Sequence, residues 1–143
     1  MKPNKQIENA LFLTWVISLI ATLGSLFFSE ILHYEPCKLC WFQRIFMYPL
    51  VFITTISLIK KDFKQSLYIL ILSTIGGSIS IYHYLIQKTE LFSTNDNFCG
   101  RIPCSGEFIN LFGFITIPFL ALIAFTLIFI LNFWILNKQK KVK

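Results

Sequence analysis

QSLYILILSTIGGSISIYHYLIQ, residues 65–87, carries no charged side chain, and Lys64 and Lys88 bracket it. A membrane-spanning helix needs about 20 mostly apolar residues, with a range of roughly 17–25. This stretch is long enough. Working outward, three more charge-free stretches appear. Asn9 to Ser29 lie between Glu8 and Glu30, Ile45 to Ile59 between Arg44 and Lys60, and Phe108 to Asn137 between Glu107 and Lys138. The chain is 55% hydrophobic and only 14% charged, against about 25% charged residues in a soluble domain. The expected fold is an all-α membrane protein, a four-transmembrane-helix bundle. It forms a single integral membrane domain over 1–143, with spans near 9–29, 41–59, 65–87 and 108–137.

The second stretch is short. It crosses a bilayer only if its helix also takes in Trp41, Phe42 and Gln43, which puts Cys40 at the helix start. The motif "EPCKLCWFQR", Glu35 to Arg44, therefore belongs at a membrane face.

Charge sets the orientation. Nine of the 13 basic residues (Lys2, Lys5, Lys60, Lys61, Lys64, Lys138, Lys140, Lys141 and Lys143) fall on one side of a four-span chain. The other side holds Lys38, Arg44, Lys88 and Arg101 beside Glu30, Glu35, Glu90, Asp96 and Glu107. By the positive-inside rule, both termini are expected in the cytoplasm. The net charge of +6 is then a topology signal. It does not point to nucleic acid, because no basic cluster sits on a soluble surface. The first apolar run is expected to stay as an uncleaved anchor, since it is long and no small-x-small cleavage site follows it.

All four cysteines fall in the two expected outer loops: Cys37 and Cys40 in the first, Cys99 and Cys104 in the second. That compartment favours disulfides. Cys99 and Cys104 enclose Gly100 and Pro103 and could simply brace a loop. A staple is a weaker reading for Cys37 and Cys40, because so small a ring restrains little of the unfolded chain. Close pairs of this kind more often do redox work or bind metal. Four thiolates could also hold zinc, with His33 and His83 as further candidates, although an oxidising compartment argues for redox chemistry.

Arg44 stands four residues after Cys40, one helical turn away on the same face. A helix start favours an anion, and so does the cation. Arg44 can also be read as an interfacial anchor that snorkels to headgroups. A redox pair that turns over needs an electron acceptor. The sequence contains no haem, flavin, nicotinamide or iron–sulfur motif. A quinone dissolved in the membrane (menaquinone or ubiquinone) would reach the head of the second span by lateral diffusion. Gly76 and Gly77 are expected to permit close helix packing, Pro49 and Pro118 to bend their helices, and Trp41 and Trp134 to lie near the interfaces.

"PCKLCWFQR", "FCGRIPC" and "FGFITIPFLALIAF" together resemble the DsbB/BdbC family of disulfide-bond formation proteins, and most closely its BdbC-type members. The likeness extends over nearly the whole chain. It implies a four-helix thiol:quinone oxidoreductase that reoxidises an extracytoplasmic DsbA/BdbD-like thioredoxin-fold thiol oxidase. The resemblance further implies that Cys99 forms the mixed disulfide with the partner and that Cys104 exchanges with Cys37. Cys40 then faces the quinone as a thiolate supported by Arg44. A DsbA-like partner sits near about −120 mV, and a structural disulfide below about −300 mV could not reoxidise it. The competing function is non-enzymatic: a tetraspan scaffold whose outer loops are stapled by disulfides or bound by zinc.

Overall fold

The computed structural model describes residues 4–33, 38–88 and 117–142. The expectations for Cys37, Cys99 and Cys104, and for the second outer loop that carries the latter two, lie outside the described residues. Four long helices account for nearly all the rest. They are α1 (Lys5–Glu30), α2 (Lys38–Lys60), α3 (Ser66–Lys88) and α4 (Ile117–Val142). All four are long and apolar enough to cross a membrane, and no strand occurs among the described residues. The all-α, four-span expectation is borne out, and the chain is a multi-pass membrane protein.

Helix is the form these segments must take in lipid, where each backbone N–H and C=O has to be satisfied within the chain. The helices close a ring in which α1 packs on α2 and α4, and α3 packs on the same two helices. Neighbours run antiparallel, as contacts at the two ends show. At one end Lys61, beyond α2, pairs with Glu8 of α1, and Lys138 of α4 donates to Gln6 of α1. At the other end Arg44 of α2 meets Ser25 of α1, and Tyr84 of α3 meets Phe119 of α4.

Side chains are distributed for a lipid solvent. Phe52, Ile59 and Ile20 face outward, being 69%, 77% and 64% exposed. Inside, Leu11, Leu50, Ile69, Phe125, Ile128 and Ile135 form the apolar centre, interleaved with buried Thr14, Ser18, Thr54, Ser57, Ser73, Ser80 and Asn132. Lipid is as apolar as leucine, so bundles of this kind rely on small side chains and hydrogen bonds rather than hydrophobic exclusion. The buried hydroxyls satisfy themselves on their own helix, as Thr14 does on the Ala10 carbonyl and Ser80 on that of Gly76. Among the bonds that cross between helices, Trp15 Nε1 donates to Thr55 Oγ1 at 2.9 Å and Asn132 Nδ2 to Thr14 Oγ1 at 3.4 Å.

Of the two adjacent glycines in α3, only Gly76 is forced by packing. A Cβ there would overlap the ring of Phe125, whereas one on Gly77 would make an ordinary 3.6 Å contact. Pro49 lies inside α2, where its missing N–H leaves the Ile45 carbonyl without a helical donor.

The α2–α3 link turns within a few residues. Lys61 adopts φ 51°, and the Asp62 N–H returns to the Ser57 carbonyl at 3.2 Å. That pairing is a Schellman closure. The Asp62 carboxylate then accepts from the Lys64 N–H at 3.1 Å and starts the one-turn 3-10 helix Phe63–Gln65 ahead of α3.

Candidate active site

The site forms where α1 ends and α2 and α4 begin. Cys40 is the third residue of α2, within its first turn, and is partly buried. The dipole of α2 and its unpaired N–H groups favour negative charge at this position. The structure brings Cys40 and Arg44 together on the wall of one cavity, as their one-turn spacing predicted.

That cavity has a volume of about 390 Å³ and is walled by α1, α2 and α4. Its deeper walls are apolar: Ile17 and Ala21 of α1, Met47 of α2, Ala124 and Phe125 of α4. Polar side chains gather at one end, from Ser25, Ser29, Cys40, Gln43 and Arg44. The rim includes Ile20 of α1 with Leu120, Ile123 and Leu127 of α4, all exposed on the outer surface of the bundle. The opening therefore faces the side where lipid would lie. Gly24 lines the same wall, and a Cβ there would meet nothing within 4 Å.

Arg44 is fixed before any ligand arrives. Its Nε donates to Ser25 Oγ at 2.8 Å and its Nη2 to the Ser25 carbonyl at 3.0 Å. Its guanidinium carbon lies 5.7 Å from the centre of the Trp41 ring, a cation–π distance. Guanidinium has five N–H donors, so Ser25 does not exhaust them. Ser25 sits near the C-terminal end of α1, where a cation also complements the helix dipole.

Two features escaped the sequence reading. Ser25 holds Arg44, but nothing in a serine nineteen residues upstream marks it for that role. Gln43 is only 5% exposed, and its Nε2 lies 3.3 Å from Nδ1 of His83 on α3, which is 1% exposed. The available signal was spacing: Gln43 follows Cys40 by three residues, which places both on one helix face. No cluster of three or more metal-ligating side chains occurs among the described residues.

Four apolar helices that bring a cysteine and an arginine to the wall of a lipid-facing cavity define a multi-pass membrane protein with a cysteine-bearing cavity. A family model described as "Disulfide bond formation protein DsbB" matches residues 7–135. The chain belongs to that family. "Probable disulfide formation protein C 1" of Bacillus anthracis is 53% identical, covering 97% of this chain and 100% of that protein. "Disulfide bond formation protein C" of Bacillus subtilis (strain 168) is 56% identical over 84% of this chain and 87% of its own length. "SPbeta prophage-derived disulfide bond formation protein B" of the same strain is 39% identical over 97% of this chain and 93% of its own. No solved structure matches the chain. The role of the protein is in disulfide bond formation, which is oxidoreductase chemistry.

Proposed function

We propose that this chain is a thiol:quinone oxidoreductase that reoxidises an extracytoplasmic thioredoxin-like thiol oxidase. The observation that carries this reading is the cavity. It is apolar along its length, opens toward lipid, and ends on Cys40 and a pre-positioned Arg44. A volume of 390 Å³ falls within the range of about 300–1,000 Å³ usual for small-ligand sites, which are mostly apolar with a few placed polar groups. A flat redox ring with an apolar tail fits that chemistry, with the ring at the polar end and the tail along Ile17, Ala21 and Ala124.

When bound, such a group would supply an acceptor for two electrons from Cys37 and Cys40, whose sulfurs would join as a disulfide; one proton would come from the Cys37 thiol and one from solvent, since Cys40 is held as a thiolate. The residues of the chain do the rest. The α2 N-terminus and Arg44 stabilise Cys40 as a thiolate. The spare N–H groups of Arg44 hold a ring oxygen. The apolar walls keep water from the reacting sulfur. Cys99 takes the mixed disulfide with the partner, and Cys104 passes the electrons to Cys37. Both termini lie in the cytoplasm and the cysteine loops outside, in keeping with the lysines at the Lys61 and Lys138 end of the bundle. A scaffold with stapled loops has no use for a cation held beside a thiol on a cavity wall.

The test is steady-state quinone reduction by purified protein supplied with a reduced partner. Wild-type protein should reduce a short-chain quinone, and Cys40→Ala should not. Equal quinone reduction by Cys40→Ala would refute the reading.

A further inference from the structure

Cys40, Arg44 and Tyr48 follow one another at intervals of four along α2, which places them on one helix face, and all three line the cavity. Cys40 and Arg44 belong to its polar end, but Tyr48 lies near the middle of α2, roughly 15 Å along the helix from Lys38. Tyrosines in membrane proteins favour the interfaces, where the hydroxyl meets water or headgroups. At mid-span it meets neither, and an unpaired polar group in apolar surroundings is costly. The other hydroxyls of α2, on Thr54, Thr55 and Ser57, each donate to a backbone carbonyl. The Tyr48 hydroxyl makes no hydrogen bond among the described residues. Of the described residues that line the cavity on the inner side of Arg44, Tyr48 alone has a polar group, beside apolar Ile17, Ala21, Met47 and Phe125. A phenylalanine would supply the same ring without the cost of the hydroxyl.

We propose that the Tyr48 hydroxyl is the second hydrogen-bond partner of the ring, holding the oxygen para to the one that Arg44 holds, so that the cavity takes para-quinones. This rests on the quinone reading above. Four residues of helix rise about 6 Å, close to the separation of the two oxygens across a para-quinone ring. Long side chains on a helix lean toward its N-terminus, which for Tyr48 is the direction of Arg44. The α2 face then offers a thiol, a cation and a hydroxyl in order, with the ring between the last two and Cys40 beside the oxygen held by Arg44. The two holds differ in kind. A guanidinium only donates, whereas a hydroxyl donates or accepts. The Tyr48 hydroxyl donates to the bare carbonyl of a quinone and, with its proton turned away, accepts from the O–H of a hydroquinone. The far oxygen of the ring is thus paired before and after reduction.

The test is infrared spectroscopy of a short-chain menaquinone, ¹³C-labelled at one ring carbonyl or at the other, bound to the full chain in lipid nanodiscs. In the wild type both carbonyl bands should lie below those of the free quinone, because each oxygen accepts a hydrogen bond. Tyr48→Phe should return one band to its free position, leave the other shifted, and weaken binding about fivefold, the loss of one hydrogen bond. Arg44→Met should return the other band. Wild-type protein carrying ring-deuterated tyrosine covers the case in which a variant does not fold. Its tyrosine C–O band should shift when unlabelled quinone binds, since Tyr48 is the one tyrosine among the described residues that line the cavity. A wild-type complex with one carbonyl at its free position, or an unshifted tyrosine band, would overturn the role of Tyr48 and leave the quinone reading standing. So would Tyr48→Phe with unchanged bands and affinity, or the two variants acting on the same carbonyl. Absence of quinone binding by the wild type would overturn both the role of Tyr48 and the reading beneath it.

Discussion

Arg44 shows how a cation is made useful at the edge of an apolar cavity. Left to itself, a guanidinium at a membrane face turns to water or headgroups. Here Ser25 takes two of its N–H groups, and the ring of Trp41 lies against it. The side-chain entropy that Arg44 would otherwise lose on meeting a ligand is already spent on folding. Arg44→Met should therefore raise the apparent quinone KM about tenfold or more, in line with about 1.5 kcal/mol for a hydrogen bond to a charged group. Mixed-disulfide formation at Cys99 should persist. Arg44→Lys should recover only part of the loss, because an ammonium lacks the planar fork of donors. Kinetics with varied quinone, beside a gel assay for the mixed disulfide, separate the two steps. The one-turn spacing of Cys40 and Arg44 was legible in the sequence because both lie on one helix. The Ser25–Arg44 and Gln43–His83 pairings were not, because each forms only once separate helices have packed.

Among the elements, α3 and α4 show packing at its least forgiving. Gly76 lets the Phe125 ring lie against the α3 backbone, and Phe125 also lines the cavity. Gly76→Ala should cost about 1–3 kcal/mol, the usual range for overpacking, and should lower the unfolding temperature in detergent. Gly77→Ala has room for its methyl group and removes backbone freedom from the unfolded chain, so it should be neutral or mildly stabilising. On α1, Gly24 faces open space in the cavity wall. Gly24→Leu should fill the cavity and weaken quinone use while leaving the unfolding temperature near that of the wild type. A large drop in stability would mean that the wall is packed rather than open. The sequence announced the helices through their charge-free stretches, because lipid permits little else. It ranked the two α3 glycines equally, because which one meets an aromatic ring depends on the rotation of α3 against α4.

For the whole molecule, the Lys61 and Lys138 end and the site lie at opposite ends of the bundle. Lys61 and Lys138 mark the end where α1 begins, and Cys40 and Arg44 the end where it finishes. Reporter fusions after Lys64 and Lys143 should read as cytoplasmic, and one near Asp96 as external. An external reading at Lys143 would break the four-span topology. The proposed route of electrons rests on the resemblance, because no spacing rule in the sequence joins Cys99 and Cys104 to Cys37 and Cys40. The central proposal is that Cys37 and Cys40 give their electrons to a quinone ring in the cavity. Protein reduced at Cys37 and Cys40, mixed anaerobically with a limiting short-chain quinone, tests this most directly through the hydroquinone formed and the disulfide gained in one turnover. The predicted result is one hydroquinone for each Cys37–Cys40 disulfide, and none with Cys40→Ala. Disulfide formation with the quinone left oxidised would contradict it.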